Sequence, residues 1–444
     1  MPTTEPSAAM PAAASAQAWL ARAMAAHQQG QVDDARQAYG ALLALAPEHP
    51  DGLHLLGMLE AQFGSGDTAV ALISRAIALN PGEAMFHNNL GNALLQQGRE
   101  NEADACYARA LALDPRRYDA MNNRALLMAR RDDLLGAEAA FTKLLEIAPG
   151  FVDARQNMVL VCLRLKRLDD ALAHCVAGLV TAPQARGLRE LLGRAYVRCK
   201  LPEKACEVYR AWIEDDPDDP VPRHHLGALE GQMPERASDA YVERTFDDFA
   251  GSFDQILGRL DYRAPALVGA ALRARLGEPA LPRWRVLDAG CGTGLCAEHL
   301  APYAQSLVGV DLSRRMLERA AQRTPYGALH QEELVAFLQR QAAAYDVVAS
   351  ADTLCYFGAL EAFAAASMHA LDAAGWLVFT VEAHEESAGA PNYRLHSHGR
   401  YSHRRDYVHA VLAAAGFAEV HSEAAVLRQE LQDAVAGWVV SARR

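Results

Sequence analysis

The sequence lacks the features that mark several classes of protein. Its eight cysteines include no Cys-x-x-Cys pair, so we expect neither a structural zinc site nor a disulfide framework. It has no apolar run near the ~18 residues of a membrane span. Its first 16 residues include no basic residue, unlike a signal peptide. We therefore expect a cytoplasmic protein that does not associate with membranes.

An excess of positive charge is also missing. The 444 residues contain 43 Lys+Arg and 55 Asp+Glu, a net charge of −12. Proteins that bind nucleic acid normally present a basic face, so nucleic acid is not an expected partner. The segment His396-Ser397-His398 has a spacing that metal ligands can use, but such a pair in a loop is usually solvated. We expect no bound metal.

A 34-residue period runs through the first half of the chain. Six prolines stand 34 residues apart, each twelve residues after an alanine: Pro47, Pro81, Pro115, Pro149, Pro183 and Pro217 follow Ala35, Ala69, Ala103, Ala137, Ala171 and Ala205. Small residues let helices approach closely, and proline ends a helix because it lacks an amide hydrogen. The period predicts six helix–turn–helix units over residues 16–219.

This pattern resembles the tetratricopeptide repeat. The resemblance implies an all-α solenoid over residues 16–230, with a capping helix at 220–230 after the sixth repeat and a disordered tail at 1–15. Its concave face is expected to hold a polypeptide partner or substrate. Asn89, Asn123 and Asn157 recur at one position of three successive repeats, and their amides can pair with a peptide backbone. The alternative is that they bond to adjacent helix backbone and bind nothing.

Strands alternate with helices in residues 231–444, which predicts an α/β domain with a mostly parallel sheet. We predict seven strands, near 285–289, 306–312, 328–331, 345–353, 375–383, 419–427 and 435–441. Ligands of such a sheet bind beyond the carboxyl ends of the strands.

A glycine-rich turn follows the first of these strands, in the sequence Asp288-Ala289-Gly290-Cys291-Gly292-Thr293-Gly294. Leu295 stands where a dinucleotide site has its third glycine, which disfavours an oxidoreductase. The glycines let a ligand approach the backbone, and Asp288 suits a ligand that bears cationic amino and sulfonium groups. Asp311 ends the second strand, where a carboxylate accepts hydrogen bonds from both ribose hydroxyls.

These residues resemble motif I and the following acidic loop of class I methyltransferases, which use S-adenosylmethionine. The resemblance implies a Rossmann-like fold and cofactor contacts at Asp288, Ala289, Gly290, Cys291, Gly292, Gly294, Asp311, Leu312, Met316, Glu333 and Ala351. We favour Glu333 over Glu332 as the acid that meets the adenine amino group. The whole chain looks like the bacterial group of predicted methyltransferases with tetratricopeptide repeats, whose substrate is not established.

The catalytic base is less determined by the sequence. Asp352 follows the fourth strand and can accept a proton, bind substrate or only orient its loop. Tyr401 and His403 belong to a histidine-rich segment expected to overhang the pocket, and histidine titrates near neutral pH. We expect a methyltransferase whose repeats recruit a protein or peptide. The alternatives are a small-molecule methyltransferase with repeats used for assembly, and a non-catalytic adaptor that senses the cofactor.

Overall fold

The computed structural model describes residues 15–251, 253–279, 281–323, 326–384, 389–430 and 433–444. The predicted disordered tail, apart from Ser15, lies outside these ranges. The chain divides into two compact units, one ending at Leu165 and one beginning at Lys166. None of the described helices combines the length and apolar character needed to cross a bilayer.

The first unit is built from helices that follow the 34-residue period. They are α1 (Ala16–Gln28), α2 (Val32–Leu45), α3 (Pro50–Phe63), α4 (Gly66–Leu79), α5 (Ala84–Gln96), α6 (Glu100–Leu113), α7 (Tyr118–Arg130), α8 (Leu134–Ile147) and α9 (Val152–Arg164). The two helices of a repeat pack closely at a glycine: a Cβ on Gly91 of α5 would lie 2.5 Å from the Tyr107 ring of α6. The all-α repeat architecture predicted from the period is confirmed.

The second unit begins with the remaining repeat helices, α10 (Leu168–Thr181), α11 (Arg186–Arg198), α12 (Pro202–Asp215) and α13 (Pro220–Leu229). Proline starts α12 and α13, where the missing amide hydrogen costs no intrahelical bond. Three helices then precede the sheet: α14 (Asp239–Phe249), α15 (Phe253–Arg259) and α16 (Ala264–Leu276).

The α/β part alternates strands and helices as the sequence predicts. Its strands are β1 (Trp284–Ala289), β2 (Ala304–Asp311), β3 (Ala328–Gln331), β4 (Tyr345–Ser350), β5 (Leu371–Ala383), β6 (Tyr393–Leu395), β7 (Tyr401–His403), β8 (Glu419–Glu430) and β9 (Asp433–Arg443). Its helices are α17 (Ala297–Leu300), α18 (Arg314–Arg323), α19 (Leu334–Gln339), α20 (Glu361–Ala370) and α21 (Arg405–Ala415), with a 3₁₀ turn at Leu354–Tyr356.

The described strands form one mixed sheet in the order β3-β2-β1-β4-β5-β7-β6, in which β9 pairs with β5 and with β8. Strands β1 to β5 pair in parallel, whereas the pairs β5–β9, β8–β9 and β6–β7 are antiparallel. All seven predicted strands are present. The prediction of seven strands is corrected by the hairpin β6–β7, because its three-residue strands are too short to leave a periodic pattern.

Both faces of the sheet are buried. Leu287 packs in one apolar cluster with residues of α19, α20 and α21, and its neighbour Val286 packs in another with residues of α16 and α17. Successive strand residues point to opposite faces, so a nearly continuous apolar strand is covered by helices on both sides. This arrangement leaves the carboxyl ends of the parallel strands as the edge available to a ligand.

Candidate active site

The turn after β1 places backbone atoms that carry no side chain beside a cavity of about 240 Å³ at the carboxyl edge of the sheet. Gly290, Gly292 and Gly294 have positive φ angles of 76°, 54° and 83°, which L side chains rarely adopt. A Cβ on Gly292 would meet nothing closer than a Phe253 carbon at 3.9 Å. At Gly292 the turn therefore leaves open the space that a side chain would fill.

Asp311 lines this cavity at the end of β2. Its two carboxylate oxygens accept the amide hydrogens of Gly292 and Ser313, each at 2.9 Å. Burial raises the pKa of Asp311, while these backbone donors oppose that rise. A carboxylate offers about four acceptor sites, so the side chain retains capacity for ligand hydroxyls.

Asp288 lies behind the turn, buried and outside the lining of the cavity. Its Oδ2 accepts a hydrogen bond from the Tyr326 hydroxyl at 2.7 Å, and its Oδ1 has no partner among the described residues. Burial raises the pKa of Asp288 to about 7. An unsatisfied buried oxygen is costly, so Asp288 fits a ligand that supplies a positive charge or a donor.

Glu332 and Glu333 both line the cavity next to the end of β3. Glu333 caps α19, because its carboxylate accepts the amide hydrogens of Val335 at 3.1 Å and Ala336 at 2.8 Å. Glu332 forms an ion pair with Arg340. Both acids retain free lone pairs, and the preference for Glu333 stays a prediction.

Eight of the fourteen predicted cofactor and catalytic residues line the cavity: Gly290, Cys291, Gly292, Asp311, Leu312, Glu333, Ala351 and Asp352. Asp288, Ala289, Gly294 and Met316 do not line it. Met316 is fully buried in α18, and a Cβ on Gly294 would face Tyr326. These positions support the turn and its neighbouring helix, and their contacts with a cofactor stay predictions.

Asp352 lines the cavity, and its backbone has an unusual conformation. Its φ is +58°, a conformation that costs energy outside glycine and is enriched at functional sites. Its amide donates to Thr380 Oγ1 at 2.8 Å. Both of its carboxylate oxygens accept from Arg428 Nη1 at 2.7 Å. The structure therefore gives Asp352 an ionic partner that the sequence did not indicate.

Arg428 belongs to an ionic cluster of Asp352, Glu382, Arg400, Arg428 and Glu430. Every member except Glu382 lines the cavity. Sequence reasoning missed the two arginines and Glu430, because the members come from β5, β8 and two loops. The available signal was an arginine and a glutamate two positions apart, directly after the predicted strand at 419–427.

Tyr401 and His403 do not reach the cavity, which corrects the expectation that these two side chains overhang it. Both side chains are fully buried and neither lines the cavity. His403 Nε2–H donates to the Gly358 carbonyl at 3.0 Å, and burial lowers the pKa of His403 to about 4. These two residues are part of the packing around β7, and Arg400, just before β7, is the residue that enters the cavity.

The predicted asparagine ladder forms hydrogen bonds between neighbouring repeats. Asn123 Nδ2 donates to the side-chain oxygens of Asn88 and Asn92, both at 3.0 Å. Asn157 Nδ2 donates to Asn122 Oδ1 at 3.0 Å, and Asn89 Nδ2 donates to His54 Nε2 at 2.9 Å. The partners are side chains on adjacent helices rather than helix backbone. Binding of a peptide by Asn89, Asn123 and Asn157 stays a prediction.

Sequence models of two families match the chain. The model described as a methyltransferase domain matches residues 287–377. Models described as tetratricopeptide repeats match residues 8–50, 20–84 and 84–117. No curated protein matches the chain significantly.

Several solved structures are similar to part of the chain. MamA is 22% identical over 38% of this chain and 92% of its own, with a TM-score of 0.33. PilF of Pseudomonas aeruginosa is 18% identical over 46% and 92%, with a TM-score of 0.39. A thermophilic TPR protein of Thermus thermophilus is 23% identical over 41% and 100%, with a TM-score of 0.37. The family matches, with the repeat helices and the mixed α/β sheet, identify the chain as a methyltransferase that contains tetratricopeptide repeats.

Proposed function

We propose that the methyl donor is S-adenosylmethionine and that the repeats recruit a protein or peptide as the methyl acceptor. The observation that carries the first part is the open glycine turn beside Asp311, with the unsatisfied oxygen of Asp288 behind it. Together they offer acceptors for ribose hydroxyls and a buried carboxyl that a cationic amino acid end would hold in its ionised form. This combination fits a sulfonium nucleoside better than a pyrophosphate, whose negative charge would oppose ionisation of Asp288.

Each residue has a defined task in this proposal. Asp311 holds the ribose hydroxyls with its remaining lone pairs, and the backbone at Gly290 and Gly292 forms the floor under the nucleoside. Glu333 accepts from the adenine amino group, and Asp288 balances the charge of the amino acid end. When bound, the cofactor supplies an activated methyl group. The chain then has to position the acceptor and remove its proton where needed.

Calorimetry on the full chain tests the donor. We expect S-adenosylmethionine and S-adenosylhomocysteine to bind, and Asp311→Asn to weaken both. Hydrogen bonds to a charged group contribute about 1.5–3 kcal/mol, so the affinity should fall by about 10- to 100-fold. Asp218→Asn is the matched control, because Asp218 is exposed in a loop before α13. Absence of binding by the native chain contradicts the proposal.

The recruitment proposal needs a separate experiment. The full chain and a variant with alanine at Asn89, Asn123 and Asn157 are incubated with a cell extract and tritiated S-adenosylmethionine. We expect label in protein with the native chain and much less with the variant, while both bind the cofactor equally. Label confined to small molecules supports assembly as the role of the repeats. Cofactor binding without any methyl transfer supports the alternative of a non-catalytic adaptor.

A further inference from the structure

The cavity has a second polar end, formed by the ionic cluster. Asp311 ends β2 and Glu333 follows β3, whereas Asp352 follows β4, and Arg428 and Glu430 lie near the end of β8. Strand β4 is the neighbour of β1 on the side away from β2. The cluster is therefore at the opposite end of the cavity from the residues assigned to the ribose and adenine.

Most of the hydrogen-bond donors of the two arginines are already used within the ionic cluster. Arg428 is 3% exposed and gives Nη1 to Asp352, Nη2 to Glu382 and Nε to Glu430. Arg400 gives Nε to Glu382 and Nη2 to Glu430, and only its Nη1 makes no bond within the described residues. An incoming anion would find one free nitrogen and three carboxylates around it.

The acceptors of the cluster are not exhausted. Glu382 and Glu430 use only Oε1 in the bonds to the arginines, and a carboxylate offers about four acceptor sites. Three carboxylates and two guanidinium groups leave the cluster with one net negative charge. Burial alone would raise the pKa of Glu430, but Arg400 and Arg428 lower it to about 2. Glu430, which lines the cavity, is therefore ionised at neutral pH.

Aromatic side chains complete this end of the cavity. Tyr262 and Tyr356 line it, and their hydroxyls make no hydrogen bond within the described part of the chain. Phe246 lines the same cavity and contacts Tyr356 edge to face, with ring centroids 5.3 Å apart. Aromatic faces attract cations, most strongly where water is excluded. Net negative charge and aromatic walls together favour a positively charged group.

We propose that the ionic cluster binds the acceptor and that the acceptor group is an amine, such as the side chain of lysine, which enters as an ammonium ion. The proposal rests on the proposed function and names its acceptor class. Glu430 and the tyrosine hydroxyls receive the N–H groups of the ammonium. Asp352 takes the proton that nitrogen must lose, and thereby becomes a neutral carboxylic acid. The nitrogen lone pair then forms the N–C bond while the C–S bond of the sulfonium donor breaks, its electron pair remaining on sulfur.

The state of Asp352 agrees with this assignment. Burial raises the pKa of Asp352 even though Arg428 opposes the rise, whereas the pKa values of Glu382 and Glu430 are lowered. Among the three carboxylates, Asp352 is therefore the one that accepts a proton most readily.

Binding of simple acceptor analogues to the full chain tests the proposal. The chain is saturated with S-adenosylhomocysteine and titrated in a calorimeter with the N-acetyl methylamides of lysine, glutamine and glutamate. We expect the lysine derivative to bind at least about tenfold more tightly than the glutamate derivative, because a site with net negative charge attracts the ammonium group and repels the carboxylate. Equal or tighter binding of the glutamate derivative, or no binding of the lysine derivative, overturns the proposal.

Variants separate this proposal from the donor proposal. Glu430→Gln should remove most of the preference for lysine while leaving the affinity for S-adenosylhomocysteine unchanged. Tyr262→Phe and Tyr356→Phe remove only a hydroxyl, keep the fold, and should each weaken the lysine derivative by a few fold. A preference that survives all three variants contradicts the assignment. If S-adenosylhomocysteine itself does not bind, the donor proposal fails, and the titrations are repeated without it to test the cluster alone.

Discussion

The position of the turn before β7 depends on α13, the last repeat helix. Substitution of Gly399 by alanine, which adds a single methyl group, should test that dependence. His224 Nε2–H donates to the Gly399 carbonyl at 2.8 Å, and His225 Nδ1–H donates to the Ser397 carbonyl at 3.1 Å. The Tyr241 ring of α14 stacks on His224, with centroids 3.8 Å apart. Because Arg400 follows directly, helix α13 fixes the segment that carries Arg400 into the cavity.

Alanine at Gly399 should be costly for two reasons. The φ angle of Gly399 is +88°, and its Cβ would lie 2.5 Å from the Tyr241 hydroxyl and 3.1 Å from His225. A non-glycine residue in this backbone conformation costs about 1–2 kcal/mol, and overpacking adds about 1–3 kcal/mol. We expect Gly399→Ala to lower the free energy of unfolding by about 2–5 kcal/mol in total.

Gly231→Ala is the matched control, because Gly231 has a φ of +75° and its Cβ would meet nothing within 4 Å. It should show only the backbone cost. Urea denaturation of both variants measures the difference, and hydrogen exchange at residues 393–403 locates it. We also expect Gly399→Ala to weaken binding of the lysine derivative while S-adenosylhomocysteine binds normally. Equal destabilisation by the two substitutions would refute the packing argument.

Four further substitutions test other parts of the structure. Gly91→Ala should destabilise the first unit by about 1–3 kcal/mol, because its Cβ would clash with the Tyr107 ring. Gly40→Ala should stabilise α2 by up to about 1 kcal/mol, because the space around the Cβ of residue 40 is open. Urea denaturation distinguishes the two effects. The pKa of Asp288 is about 7 in the native chain and near 4 in the unfolded chain. Between these pH values the native chain keeps a proton that the unfolded chain has released. Native stability should therefore fall relative to Asp288→Asn as the pH rises from about 4 to about 7, and a flat difference in melting temperature across that range would count against a buried, protonated Asp288. Arg428→Met should cost about 3–5 kcal/mol, because it leaves buried carboxylates without a counter-charge; a melting temperature within a degree or so of the native value would contradict this.

The sequence by itself determines the features that depend on neighbouring residues. A period of 34 residues specifies which helices form and where they end, since helix propensity, proline and close glycine packing act over a few positions. The glycine turn and Asp311 follow from one strand-turn-helix unit and the next strand. These parts of the site could be predicted because few residues, close in the chain, fix their geometry.

The tertiary structure alone decides which distant residues share the cavity. Asp352 and Arg428 are 76 positions apart and meet only because β9 pairs with β5 and with β8 in a particular register. The same packing buries Tyr401 and His403 and brings α13 against the turn before β7. A one-residue change of register would point Arg428, Tyr401 and His403 to the other face of the sheet, and no local pattern specifies that register.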